Sequence, residues 1–193
     1  MNQLVVYCHP NPNSFNHAIK EALVAALKDK GHDVRVRDLY AVDFHPVLSA
    51  RDFQYYMDSR VPAEIQVEQD HIKWSDVITF VYPIWWTGMP AMVKGYIDRV
   101  FTEGFAYDFD ADGIAGLLKE KKAFIFNTTG AAKADAEKMG MAELIKHTSD
   151  DAIFKSCGME VIGHKFFFGV PMAAEADLKA MLEDVKKTAE KLA

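Results

Sequence analysis

The stretch Leu4-Val5-Val6-Tyr7-Cys8-His9-Pro10-Asn11-Pro12-Asn13-Ser14-Phe15-Asn16 runs from five apolar residues through a proline-broken polar loop into a helical pattern. The apolar run fits a parallel strand buried on both faces. Phe15, Ala18, Ile19, Ala22, Leu23 and Ala26 recur at helical spacing, so a helix is predicted from near Ser14, with Gly31 as its stop signal. A strand that empties into a helix N-terminus makes an anion site, because the first backbone N–H groups lack partners and the helix dipole favours negative charge. Residues 9–16 therefore point to a phosphate-bearing ligand. The same residues also read as ordinary capping, with Asn13 or Ser14 as N-cap, Phe15 as a core anchor and His9 as a polar strand end. No G-x-G-x-x-G follows the first strand, which weighs against a dinucleotide site.

Working outward, strand and helix patterns alternate almost to the end. Residues 33–38 alternate polar residues with valine, as an outer strand would, and 77–82 are apolar at nearly every position, as a central one would be. Residues 123–126 and 160–168 read as two further strands. Helices are predicted around 64–74, through Met92, Val93, Tyr96, Ile97 and Val100, over 141–156, and along the face Leu178, Met181, Leu182, Val185, Ala189 and Leu192. Residues 39–63 are expected to be an irregular excursion, and the acidic stretch 108–112 a loop with Tyr107 and Phe109 beside it. Five successive β-α units imply a doubly wound α/β domain over residues 1–193, with a five-stranded parallel sheet in order 2-1-3-4-5 and helices on both faces. Such sheets bind ligands beyond the carboxyl ends of their strands where the order reverses, here between strands one and three.

Composition narrows the function. The chain has 193 residues, half of them hydrophobic, and a formal net charge of −6, which argues against a general nucleic-acid binder. Two cysteines, Cys8 and Cys157, make no disulfide framework and fit a reducing compartment. No apolar segment reaches the roughly 18–20 residues of a membrane helix, and no leader pattern opens the chain, so a cytoplasmic location is expected. The seven histidines show no helical pair at metal-ligand spacing, so no metal is expected. No G-x-S-x-G elbow supports a hydrolase.

Two more loops flank the expected switch point. Tyr82-Pro83-Ile84-Trp85-Trp86-Thr87-Gly88-Met89-Pro90 sets adjacent tryptophans between prolines at the mouth of a central strand. Both cannot easily turn into the core from so tight a loop, and an aromatic wall there suits a flat conjugated ring. A subunit interface is the alternative. In Asn127-Thr128-Thr129-Gly130-Ala131, the hydroxyls and free N–H groups suit a polar ring edge, and Gly130 permits close approach.

With His9…Ser14-Phe15-Asn16, Asp38-Leu39-Tyr40, Gly88-x-Pro90-Ala91-x-x-Lys94-Gly95, Arg99-Val100-Phe101, Gly104-Phe105-Ala106-Tyr107 and Thr128-Thr129-Gly130 in order, the chain resembles the flavodoxin-like NAD(P)H:quinone oxidoreductases, the family of DT-diaphorase. It is also similar to the ancillary oxidoreductases of bacterial potassium-efflux systems. The resemblance implies a flavin with its phosphate held by His9, Ser14, Phe15 and Asn16. It implies a ring framed by Pro83, Ile84, Trp85, Trp86 and Thr87 with Thr128, Thr129, Gly130 and Ala131. Trp86, Thr129, Gly130 and Tyr107 would then be the residues at the chemistry, with Tyr107 supplied across a homodimer interface. The implied reaction is ping-pong, two-electron hydride transfer from NADH or NADPH through flavin N5 to a quinone or another small aromatic acceptor. Ala131 replaces the second glycine of DT-diaphorase, Trp85 its glutamine and Phe109 a tyrosine, and residues 132–146 hold neither Tyr nor His. The shorter chain favours FMN over FAD as the expected cofactor. Two alternatives stay open: a one-electron carrier of flavodoxin type, and a regulatory partner of a membrane potassium-efflux transporter.

Overall fold

A computed structural model describes residues 1–111 and 113–192. The chain runs β1 (Asn2–Tyr7), α1 (Phe15–Asp29), β2 (Asp33–Asp38), α2 (Ala50–Met57), α3 (Ala63–Trp74), β3 (Val77–Pro83), α4 (Ala91–Val100), β4 (Tyr107–Asp110), β5 (Gly113–Gly116), β6 (Lys122–Thr128), α5 (Lys133–Lys138), α6 (Met141–Lys146), a π-helix (His147–Lys155), β7 (Glu160–Phe167), a 3₁₀ turn (Val170–Met172) and α7 (Glu175–Ala189). Five strands form one parallel sheet in the order β2-β1-β3-β6-β7. Counted along the sheet-forming strands alone, this is the expected 2-1-3-4-5 flavodoxin-like order.

The strand period of two divides the core into two layers. Leu4 and Val6 of β1, with Cys8 just beyond it, join Ile78, Phe80 and Tyr82 of β3 under α3, α4 and the π-helix. Val5, Tyr7, Val81 and Phe126 face the other way, beneath Ile19, Leu23 and Leu27 of α1 and Val185 and Ala189 of α7. Every residue of β3 is buried, whereas the outer strands β2 and β7 are largely half-exposed. Neither cysteine has a disulfide partner, and burial raises the Cys8 thiol to about 12, so it packs as a small apolar group.

Three local expectations are corrected. The 39–63 excursion contains α2, started by a capping box in which Ser49 and Asp52 exchange side-chain-to-backbone hydrogen bonds. Arg99, buried on α4, then holds Asp52 through Nε at 3.1 Å and Nη2 at 2.7 Å, which ties the excursion to the core. Gly95 allows that approach, since a Cβ there would lie 2.0 Å from the Pro46 carbonyl oxygen. The acidic stretch is not a loop: β4 pairs antiparallel with β5, and Asp112 alone lies outside the described residues. The fourth helix is a short α6 running into nine π-helical residues, which turn the consecutive polar side chains of Ser149 and Asp150 inward.

Candidate functional site

Three loops leave the carboxyl ends of β1, β3 and β6 side by side, because those strands are neighbours in the sheet. In the first, Ser14 is the N-cap of α1, its Oγ accepting from His17 N at 3.1 Å. The capping reading thus holds for Ser14 rather than Asn13. Ahead of it, the N–H groups of Phe15 and Asn16 find no partner among the described residues, so the α1 terminus still presents donors to an anion. His9 Nδ1 lies 3.0 Å from Asn11 N and 3.3 Å from Asn11 O, and burial pulls His9 below its ordinary histidine value. Its edge meets Trp85 with centroids 5.9 Å apart.

Asn16 joins this loop to the third. It is 3 % exposed, and its Nδ2 donates to Thr128 Oγ1 at 2.7 Å. Its Oδ1 is buried with no hydrogen-bond partner among the described residues. An unpaired buried acceptor costs about 1–3 kcal/mol, a cost that a donor on a bound ligand removes. Oδ1 accepts and does not donate, so Asn16 suits a hydroxyl-bearing chain rather than the phosphate itself.

In the second loop, Ile84 N donates to Thr128 O at 2.7 Å, which fastens it to β6. Trp85 and Gly88 exchange backbone hydrogen bonds of 3.1 Å each, closing a turn in which Trp86 has φ 51° and Thr87 φ 58°. Two left-handed residues make the mirror-image turn that normally selects Asn-Gly. The turn leaves the Trp86 and Thr87 N–H groups unpaired among the described residues and throws Trp86 fully into solvent. Neither tryptophan enters the core.

In the third loop, Thr129 N donates to Phe167 O at 2.9 Å and Ala131 N to Thr129 Oγ1 at 3.1 Å. Of the Thr129, Gly130 and Ala131 backbone N–H groups, that of Gly130 is the one left without a partner among the described residues.

These loops enclose a cavity of about 440 Å³, lined by His9, Ser14, Phe15, Asn16, Pro83, Ile84, Trp85, Thr128, Thr129 and Gly130. Asn11, Val170 and Pro171 also line it and were not anticipated. Val170 and Pro171 arrive because Val170 N donates to Thr129 O, a pairing with no local sequence signal. Trp86, Thr87 and Ala131 stand outside this lining. So does Tyr107, half-buried on β4, which borders a separate cleft of about 900 Å³ together with Phe53, Tyr56 and Met57. The donor set, the orphaned acceptor and the aromatic rim fit a flavin with a phosphate tail.

The flavodoxin-like fold family matches residues 1–189, and the chain belongs to that family. It is 37% identical over 194 residues to a protein of Haemophilus influenzae named an uncharacterized NAD(P)H oxidoreductase, covering 100% of this chain and 96% of that one. It is 34% identical over 187 residues to NAD(P)H dehydrogenase [quinone] 1 of Cavia porcellus, covering 86% of this chain and 68% of the relative. The solved NAD(P)H:quinone oxidoreductase of Methanothermobacter marburgensis superposes with a TM-score of 0.90 at 26% identity, over 100% of this chain and 99% of that one. By this kinship the chain is an oxidoreductase.

Proposed function

We propose that this protein is a flavin-dependent NAD(P)H:quinone oxidoreductase that uses FMN. The observation that carries the reading is the Asn16 Oδ1 atom, buried and unpartnered beside the free N–H groups of the α1 terminus, in a cavity at the sheet's switch point. When bound, the flavin supplies a two-electron, ping-pong hydride relay at N5 between NADH or NADPH and a quinone or similar aromatic acceptor.

The chain's own part is positioning and electrostatics. The Phe15 and Asn16 N–H groups, with the Ser14 hydroxyl and His9, hold the phosphate end. Asn16 Oδ1 accepts from a hydroxyl of the connecting chain. The Trp86 and Thr87 N–H groups donate to the ring's polar edge, and Gly130 N with Thr128 and Thr129 meets the pyrimidine end, where negative charge collects on reduction. Trp85 and Trp86 wall the ring against water.

A homodimer completes the site by bringing Tyr107 of a second copy over it. Phe53, Met57, Phe109 and Ile114 expose apolar surface in the elements that carry the Tyr107 cleft and its hairpin, as a subunit interface requires. No described helix is long and apolar enough to cross a membrane, and a cytoplasmic setting suits a nicotinamide donor.

The test is direct. Denaturing the purified protein should release a yellow compound that co-chromatographs with FMN, and menadione should be reduced by NADH or NADPH in steady-state assays. Protein that stays colourless after incubation with FMN or FAD, or no turnover across quinones and azo- and nitro-aromatics, would refute the proposal. Exclusive one-electron exchange would assign it to the carriers instead.

A further inference from the structure

Behind the third loop lies a buried polar chain that the proposed reaction does not use. Asn127 immediately precedes Thr128, and its Nδ2 donates to two backbone carbonyls, Tyr82 O at 3.0 Å and Phe126 O at 3.2 Å. Two acceptors on that side fix the amide, so Oδ1 must face the other way, where His164 Nε2 lies 2.7 Å from it. Nε2 therefore carries a hydrogen. His164 Nδ1 lies between both carboxylate oxygens of Asp150, at 2.9 and 3.1 Å, and opposite an ionised carboxylate it carries one too. Ser149 Oγ sits 2.7 Å from the same carboxylate. The hydrogen-bond pattern thus calls for an imidazolium, with the His164 side chain 1% and the Asp150 side chain 7% exposed. Phe166 stacks on the ring at 4.1 Å.

The arrangement depends on the π-helix, whose wide turn brings Ser149 and Asp150 inward together, and such segments recur at functional sites. The buried Tyr82 hydroxyl stands near Asn127, Ser149 and Asp150 and is pushed above its ordinary value by burial. It adds no charge. A cation between a carboxylate on one side and an amide oxygen on the other leaves a dipole whose positive end points to the residue that starts the Thr128-Thr129-Gly130 loop.

We infer that Asp150, His164 and Asn127 form a polarised chain whose positive end lies beneath this loop and thereby favours the reduced, anionic form of a bound flavin. His164 and Asp150 are positioning residues: they act through Asn127 and the loop, not by touching the ring. The inference rests on the flavin reading and answers the absence of Tyr or His in residues 132–146.

Two measurements test it. On flavin-free wild-type protein, ¹⁵N shifts of the His164 ring should show both nitrogens protonated. A singly protonated ring overturns the inference whatever the flavin does. Then His164→Gln and Asp150→Asn are titrated with oxidised and with reduced FMN. Each variant should weaken reduced FMN about tenfold more than oxidised FMN, equivalent to a fall of about 30 mV in the two-electron midpoint potential. Equal weakening of both forms would make the chain a structural strut and overturn the charge assignment. If the variants do not fold, the wild-type ring spectrum decides. Wild-type protein that binds no flavin refutes the proposed function, and is distinguishable from either result.

Discussion

Replacing Asn16 with alanine separates a ligand-binding residue from a strut. In the flavin-free protein the substitution deletes the 2.7 Å hydrogen bond to Thr128 Oγ1, worth a net ~0.5–1.5 kcal/mol. It also deletes the orphaned Oδ1, whose burial costs about 1–3 kcal/mol. The two effects oppose each other and the second is the larger, so the empty protein should lose no more than about 0.5 kcal/mol, a fall in Tm of at most roughly 1–2 °C for a chain of this size, and on the central values it gains stability. In the loaded protein Oδ1 has a hydroxyl partner, so its removal costs a made hydrogen bond. The expected penalty of about 1–1.5 kcal/mol raises the FMN Kd roughly tenfold. Asn16→Asp keeps an acceptor but adds negative charge, so it should weaken FMN more than phosphate-free riboflavin. The assay is titration of flavin-free protein with FMN and riboflavin by fluorescence quenching, alongside thermal melts. An unchanged FMN Kd in Asn16→Ala, with a large drop in the empty protein's Tm, would refute the reasoning.

Other perturbations report on the neighbouring elements. Thr87→Gly relieves a left-handed residue that costs about 1–2 kcal/mol, against ~0.5–1 kcal/mol for glycine's extra freedom when unfolded. Thermal melts should show a net gain of about 0.5–1 kcal/mol with FMN affinity retained, since the backbone N–H stays. Trp86→Ala removes a fully exposed side chain, so unfolding free energy should move by no more than about 0.5 kcal/mol while flavin affinity or turnover falls. Equal loss of folding would mean that the indole packs internally. Arg99→Met strands Asp52 without its partner and should cost about 3–5 kcal/mol in urea unfolding near neutral pH. Burial acts to raise the Asp52 carboxyl, but hydrogen bonds from Ser49 and the Arg99 guanidinium hold it below its ordinary value. A carboxylate depressed on folding contributes fully above its unfolded value of about 4, and that contribution is lost as pH falls through the lower folded value. The gap between wild type and Arg99→Met should therefore narrow below about pH 4, and a gap independent of pH would remove Asp52 from the account.

Much of the architecture was readable in one dimension because it rests on local periodicity. Val77–Pro83 is apolar at nearly every position, as a strand covered on both faces tends to be, and the polar–valine alternation of β2 placed it at an edge. The mistaken segments fail for physical reasons. The hairpin of β4 and β5 is mostly exposed and only four residues a strand. Tyr107-Asp108-Phe109-Asp110 does alternate as a strand would, but its acidic run reads as a loop and no strand of the main sheet flanks it. Helix α2 carried a readable signal, the Ser49-x-x-Asp52 box, but the hydrogen bonds that tie it to the core come from Arg99, 47 residues from Asp52. The π-helix has no sequence signature, and its purpose becomes visible only with His164 beside Asp150.

Taken alone, the sequence determined the order of strands and helices, the three loops at the switch point and the residue types they offer, because each follows from neighbours within a few positions. Only the tertiary structure decided which donors and acceptors remain free. Ser14 Oγ caps its helix, Thr129 N is taken by Phe167, Asn16 Nδ2 by Thr128, and Gly130 N and Asn16 Oδ1 are left over. Hydrogen-bonding capacity is written in each residue, but whether it is already satisfied depends on groups that arrive from distant strands when the sheet closes.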